Sequence, residues 1–261
     1  MQKVAIITGA SHGIGLATAI KLADAGWKIF NISRSKFSHD KFSSFQADVN
    51  DYRKITEIFE QVFKDEGRID AVINNAGFGI AGAIEETKPE NVDAIVSTNL
   101  SALMKICKLA IPYLKKNEGR IINISSVAGI IPLPFQACYS ATKAGVEVFS
   151  RALATEVKPF KIKVTAILPG DTKTDFTKAR VIDSEEKSSN YDRMCKSINK
   201  MAKDEQNGKD PDSVAKVVLK VLNQKRPPLR KTIGFVSKLE IFLTRICSTK
   251  FVNFIVRKLY G

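Results

Sequence analysis

Val4-Ala5-Ile6-Ile7-Thr8-Gly9-Ala10-Ser11-His12-Gly13-Ile14-Gly15 begins as an apolar, β-branched run and breaks into a turn spaced GxxxGxG. β-Branched residues favour a strand. Leu16, Ala19, Ile20 and Ala23 then recur at helical spacing up to Gly26, which suits a helix C-cap. The order is strand, glycine turn, helix. Glycines let the backbone approach a bound group closely, while the N–H groups and dipole at the helix start attract negative charge, so the turn is a candidate pyrophosphate cradle. A three-glycine turn also serves as a plain strand-to-helix connection, so the rest of the chain must decide.

The same rhythm continues downstream. Apolar strand candidates at Ala71 to Ile73, Arg120 to Ile124 and Lys163 to Leu168 alternate with helical stretches at 52–63, 91–114 and 139–157. This predicts an α/β fold, a doubly wound parallel sheet in three α/β/α layers. With 261 residues and 44% hydrophobic content the chain can bury one core, so one domain is expected. The connection from Arg34 to Asp48 is too short for a full helix and predicts a turn. The first strand starts essentially at Met1 and no 18-residue apolar run is found, which predicts a cytoplasmic protein without a leader or a membrane span. Cys107, Cys138, Cys195 and Cys247 lie far apart without CxxC pairing, so reduced thiols are expected. His12 and His39 form no ligand cluster with cysteines or carboxylates, and no metal site is expected.

Chemistry enters at Tyr139 and Lys143, four residues apart with Ser140, Ala141 and Thr142 between them, and at Ser126 thirteen positions upstream. Residues i and i+4 share a helix face, so the phenol and the ammonium point together. A free tyrosine titrates near pH ~10 and needs nearby positive charge to work as a base. Lys143, together with an oxidised nicotinamide, could supply that charge. Ser126 can hold an oxygen that gains negative charge in the transition state. The trio reads as a ketone/alcohol redox site, although a YxxxK pair also arises by chance on ordinary helices.

The ordered set Thr8 to Gly15, Asp48, Asn74-Asn75-Ala76-Gly77, Asn99, Gly119 to Ser126, Tyr139 with Lys143, and Pro169-Gly170 followed by Thr174 resembles the short-chain dehydrogenase/reductase family. The resemblance runs from residue 1 to about 222 and implies a Rossmann fold and a nicotinamide cofactor. It implies catalytic roles for Asn99, Ser126, Tyr139 and Lys143. Tyr139 would donate the proton in reduction, Ser126 would polarise the oxygen, and Lys143 would orient the ribose and depress the tyrosine pKa. Asn99 would hold a water that sustains the proton relay. The implied cofactor contacts are Gly9, Ser11, His12, Gly13, Ile14, Gly15, Ser33, Arg34, Asp48, Val49, Asn75, Ala76, Gly77, Tyr139, Lys143, Pro169, Gly170, Thr172 and Thr174. Asp48 would touch the adenine and Thr174 the carboxamide. Ser125, beside Ser126, reads as a strand-end packing residue.

The second strand ends Asn31-Ile32-Ser33-Arg34. A carboxylate there would accept from a ribose 2′-hydroxyl and repel a 2′-phosphate, whereas arginine binds the phosphate. Ser33 stands where the acid is expected and Arg34 follows. NADP(H) is therefore expected over NAD(H), with Arg34 as a solvated surface residue the plainer reading.

An apolar lip from Val127 to Cys138, including Phe135, the segment Phe78 to Ile84 and a lid over 171–210 predict a lipophilic substrate, with Ser126, Phe135 and Tyr139 touching it. Beyond a catalytic domain at 1–222, residues 223–261 read as a basic amphipathic extension. From Lys225 to Gly261 nine Lys/Arg stand against Glu240, a net +8 of the chain's +14. Peripheral contact with anionic lipid, a cover for the pocket mouth, and packing on another subunit all remain open. Nucleic-acid binding is not expected, because the aromatics are phenylalanines on the apolar face. The expected activity is NADP(H)-dependent interconversion of a hydrophobic ketone and a secondary alcohol of steroid, long-chain lipid or retinoid type, in a dimer or tetramer. Reduction of 3-oxoacyl groups on an acyl carrier protein is the enzymatic alternative. A nucleotide-sensing binding protein is the non-enzymatic one.

Overall fold

The computed structural model describes residues 1–183 and 188–261; residues 184–187 of the predicted lid lie outside the described residues. In chain order the elements are β1 (Val4–Thr8), α1 (Gly13–Asp24), β2 (Lys28–Ser33), β3 (Ser43–Gln46), α2 (Tyr52–Glu66), β4 (Ala71–Asn74) and β5 (Ile80–Gly82). Then come α3 (Pro89–Val96), α4 (Ala102–Leu114), β6 (Arg120–Ile124), α5 (Ala137–Glu156), β7 (Lys163–Leu168), β8 (Val181–Asp183) and α6 (Tyr191–Gln206). The chain closes with α7 (Pro211–Asn223), β9 (Arg230–Thr232), α8 (Phe235–Ile246) and α9 (Thr249–Tyr260).

Every residue of β1 is buried, as a strand covered on both faces requires. It lies mid-sheet, with Ile6 opposite Phe30 on one side and Val72 on the other. The parallel order is β3-β2-β1-β4-β6-β7-β9. Alternation sends Val4 and Ile6 to a layer with Ile55 and Phe59 of α2 and Leu103 and Ile106 of α4. Ala5 and Ile7 face the opposite layer, with Ala19 and Leu22 of α1 and Val214 and Val218 of α7. This is the three-layer Rossmann arrangement that the apolar rhythm predicts.

Three expectations are refined. The Arg34–Asp48 connection holds no helix; it holds the edge strand β3, paired with β2. The sheet does not end with residue 222, because β9 pairs with β7 from inside the supposed extension. Its Arg-Lys-Thr sequence hides it, since an edge strand needs no apolar alternation. The long helix over 91–114 is interrupted at Ser97–Ser101 by a π-helical turn. The helical run Pro89–Asn117 is long and apolar enough by composition to cross a membrane. No continuous apolar run is needed for that, and here Leu103, Ile106, Ala110 and Leu114 bury its apolar face in the core.

Candidate active site

Parallel strands all point their C-terminal ends to one edge, where the strand order reverses on either side of β1 and ligands bind in such sheets. A cavity of about 690 Å³ opens there, lined by the residues that follow β1, β2, β4, β6 and β7. α8 and α9 close it from above.

One end of this cavity fits a dinucleotide. Gly9 and Gly13 take φ values of 72° and 55°, a region that side chains disfavour. Gly15 packs so tightly that a Cβ there would lie 2.2 Å from the Gly9 carbonyl oxygen. The turn is thus clamped against α1. His12 gives α1 no side-chain cap and the first turn carries no acid. The helix's first bond is Leu16 N–H to His12 C=O, so earlier N–H groups are available to an anion. Beside them Ser33 is buried with its hydroxyl donating to Ser35 C=O at 3.0 Å. Arg34 lines the cavity, with no ion pair to it among the described residues. Asn75 holds the turn from the far side, its Nδ2 donating to Gly9 C=O at 2.9 Å. A nicotinamide dinucleotide would be held by this turn, by Ser33 and Arg34, and by the 75–77 segment.

The other functional groups converge at the ends of β6 and α5. Ser126, two residues past β6, caps a short 3₁₀ turn, its Oγ accepting from Ala128 N–H at 3.1 Å. Tyr139 and Lys143 sit one turn apart in α5, both buried. Lys143 Nζ donates to Ile124 C=O at 3.0 Å and lies 5.7 Å from the Tyr139 ring. Ser125 tightens the junction by donating to Lys143 C=O at 2.7 Å. Burial pushes the Tyr139 phenol up to about 12, opposed by a hydrogen bond with Ser126. It also pulls Lys143 down to about 8. In the protein alone desolvation thus outweighs the Ser126 hydrogen bond, and the phenol stays protonated at neutral pH.

Asn99 lies in the π-helical turn and exchanges two hydrogen bonds with the Phe78 backbone, at 2.9 and 3.0 Å. A Cβ on Gly77 would stand 2.9 Å from Asn99 Oδ1 and 3.6 Å from Lys143 Nζ. Asn99 thus braces the loop beside the lysine, set back from the cavity wall. π-Turns of this kind recur at functional sites.

Beyond Tyr139 the wall changes character. Its ring meets Phe176 at 5.5 Å between centroids, and the Arg180 guanidinium stands 5.9 Å from Phe176. Arg180 is buried in an ion pair with Glu205, which also accepts from Thr177 Oγ1 at 2.5 Å. Glu205, Asp171 and Glu240 all line the cavity. Loss of water and the neighbouring carboxylates raise Asp171 to about 6. Above them Leu243, Val252, Ile255, Val256 and Leu259 make an apolar roof.

Residues 3–185 match the sequence profile described as short chain dehydrogenase. The chain belongs to that family. A 3-ketodihydrosphingosine reductase from Bacteroides thetaiotaomicron is 37% identical over 236 residues, 89% of this chain and 88% of that protein. Among solved structures, a short-chain dehydrogenase from Streptomyces avermitilis superposes with a TM-score of 0.84 at 26% identity, covering 98% of this chain and 95% of the other. A 3-ketoacyl-(acyl-carrier-protein) reductase from Brucella melitensis complexed with NADH gives 0.75 at 26% identity, with 88% and 96% covered. The protein is thus a short-chain dehydrogenase/reductase, an oxidoreductase of the NAD(P)-binding type.

Most residues singled out in this short-chain dehydrogenase do meet at one cavity. Gly9, Ser11, His12, Gly13, Ile14, Ser33, Arg34, Val49, Asn75, Ala76, Gly77, Ser126, Tyr139, Lys143, Pro169, Gly170, Thr172 and Thr174 all line it. Gly15 stands behind the turn. Asp48 stands outside the cavity lining, and its Oδ1 accepts from the Asn50 backbone and side chain at 2.8 and 3.0 Å. Phe135, at φ 59°, packs with Ala81 and Met194 and under Arg193 instead. Sequence reasoning missed Gln136, buried on the cavity wall with an Nε2 that has no partner among the described residues. Its spacing of three from Tyr139 was the available signal. It also missed the Arg180–Glu205 pair, whose 25-residue separation in a charge-rich segment carries no periodic signal.

Proposed function

We propose that the chain reduces a long-chain lipophilic ketone to a secondary alcohol with NADPH. The observation that carries this reading is the convergence of Ser126, Tyr139 and Lys143 on the wall of a cavity roofed by apolar side chains of α8 and α9. When bound, the nicotinamide supplies the hydride. Tyr139 then acts as proton donor to the carbonyl oxygen, and its neutral phenol is favoured by burial. Ser126 donates to the same oxygen as negative charge develops there. Lys143, held by Ile124, faces the phenol with positive charge and Asn99 braces the loop opposite. Arg34 favours a 2′-phosphate, and no carboxylate at Ser33 opposes it.

With Glu205 paired to Arg180, the carboxylates of Asp171 and Glu240 suit a substrate that carries an amine near the ketone and disfavour an anionic one. The Bacteroides relative's name, a 3-ketodihydrosphingosine reductase, agrees with such a molecule. The same acidic wall weighs against 3-oxoacyl carrier thioesters. NADPH consumption would be followed with a long-chain amino ketone, the same ketone without the amine, a steroid ketone and a 3-oxoacyl carrier thioester. The amino ketone is expected to turn over fastest; fastest turnover of the carrier thioester would overturn the reading. Tyr139→Phe should abolish turnover while NADPH binding stays within about twofold, since only the proton donor is removed.

A further inference from the structure

The inner and outer faces of α8 do different things. Ile241 is buried against Ala166 and Leu168, and Ser237 and Glu240 line the cavity. Gly170 sits so close that a Cβ on it would lie 2.4 Å from Ser237 Oγ. The helix is firmly seated on the sheet edge. Its opposite face carries Phe235, Leu239, Phe242 and Ile246, each about one helical turn from the next and 79%, 48%, 55% and 66% exposed. Lys238 and Arg245 border this stripe along one edge.

α9 is held less by burial than by its end. No residue in it is fully buried, and Tyr260 O–H donates to Asp204 Oδ2 of α6 at 3.0 Å. Leu243 of α8 and Phe251, Ile255 and Leu259 of α9 line the cavity and are also 38% to 53% exposed. They therefore form the rim of its mouth. Phe254 stands exposed among Lys250, Arg257 and Lys258.

An exposed apolar stripe edged by one sign of charge marks an interaction surface. Over 235–261 five Lys/Arg stand against one acid, Glu240, which lines the cavity. In a two-fold contact with a second copy this patch would meet itself, like charge against like. A bilayer with anionic headgroups satisfies both parts at once, the phenylalanines and aliphatics entering the acyl boundary and the cations meeting phosphate and carboxylate groups.

We infer that the α8–α9 pair is a docking surface for an anionic lipid bilayer, and that docking sets the rim of the catalytic cavity against the membrane. A lipophilic substrate then passes from bilayer to cavity along Leu243, Phe251, Ile255 and Leu259 without crossing water. The docking stands apart from the choice of ketone, whereas the entry route rests on the lipophilic-ketone reading.

The full chain would be floated with phosphatidylcholine vesicles, with and without phosphatidylserine. It is expected to float with phosphatidylserine, to stay in the dense fraction with phosphatidylcholine alone, and to be released by high salt. Two double variants avoid the cavity wall: Phe242→Ser with Ile246→Ser, and Lys238→Glu with Arg245→Glu. Each should lose on the order of tenfold in vesicle partitioning while turning over a short water-soluble ketone like the parent. Equal recovery with both vesicle types, or flotation of both variants at the parent level, would overturn the docking. So would light scattering that finds a parent dimer which the Phe242→Ser/Ile246→Ser change dissociates, since the stripe would then be a contact between copies. If the chain floats but long-chain ketones are not reduced faster when dissolved in phosphatidylserine vesicles, docking stands and the entry route fails. Failure to reduce any ketone strikes the proposed activity and leaves the flotation result intact.

Discussion

At neutral pH Lys143 is a buried cation, and Lys143→Met tests what that costs. Loss of water pulls its pKa from 10.5 to about 8. At about 1.4 kcal/mol per unit, holding the ammonium in the folded chain costs about 3 kcal/mol at pH 7. The unfolded chain keeps this proton up to pH 10.5 and the folded chain releases it near 8. The penalty is therefore full below pH 8 and fades as pH rises toward 10.5. Methionine keeps the length of the side chain and removes the charge, but leaves Ile124 C=O without the 3.0 Å donor it has now. That loss takes back about 1 kcal/mol. The variant should be more stable than the parent by about 2 kcal/mol at pH 7 and indistinguishable near pH ~9.5. Trp27, the chain's single tryptophan, is buried and reports unfolding by fluorescence. Urea titrations of both proteins without dinucleotide at the two pH values measure the difference, and turnover of the variant should be lost. A stability gap that does not change with pH would refute the reasoning, because the buried charge would not be its source.

Arg34→Ala should lower the NADP-to-NAD preference by about 10- to 100-fold, the worth of hydrogen bonds to a charged phosphate; an unchanged ratio of kcat/KM values would locate the phosphate contact elsewhere. Asp171 loses its charge as pH falls through about 6, so KM for an amino ketone should rise below that pH, while KM for the ketone without the amine stays level. In Asp171→Asn the acid limb should vanish; a limb that survives belongs to another group. Glu205→Gln strands the buried Arg180 cation, a loss of about 3 kcal/mol and a melting point lower by about 6 to 12 °C. Since Glu205 raises the Tyr139 pKa and Arg180 lowers it, the tyrosine limb in the pH profile should move to lower pH, and a limb that moves upward would contradict the assigned charges.

The sheet was legible wherever burial on both faces forced apolar runs, as in Val4 to Ile7 and Lys163 to Leu168. β9 escaped because Arg230-Lys231-Thr232 sits at the sheet edge, where backbone pairing alone defines a strand. The turn and the Ser126, Tyr139 and Lys143 trio were legible because they work through local spacing. That Asp48 Oδ1 accepts from the Asn50 backbone, two residues on, is a turn geometry that spacing alone does not show. Phe135 was misread for a similar reason: a positive φ decides where its ring goes. The acidic wall of Asp171, Glu205 and Glu240 comes from three separate segments. Only the tertiary fold brings them together.

The state of Tyr139 bears on direction. On the proposed roles, reduction of a ketone needs the phenol and oxidation of an alcohol needs the phenolate. Burial holds the group near 12, so at neutral pH nearly every molecule starts with the proton that reduction consumes. The forces that oppose this are the hydrogen bond with Ser126 and, more weakly, the charge of Arg180; the proposed roles add the Lys143 charge. Lys143 is itself weakened as a cation by the same burial, and Arg180 is largely spent on Glu205. An apolar roof strengthens the bias, because each apolar side chain that seals the mouth removes water from the phenolate more than from the phenol. On the proposed roles, the burial that suits the cavity to a lipophilic ketone also favours the protonated phenol that reduction needs.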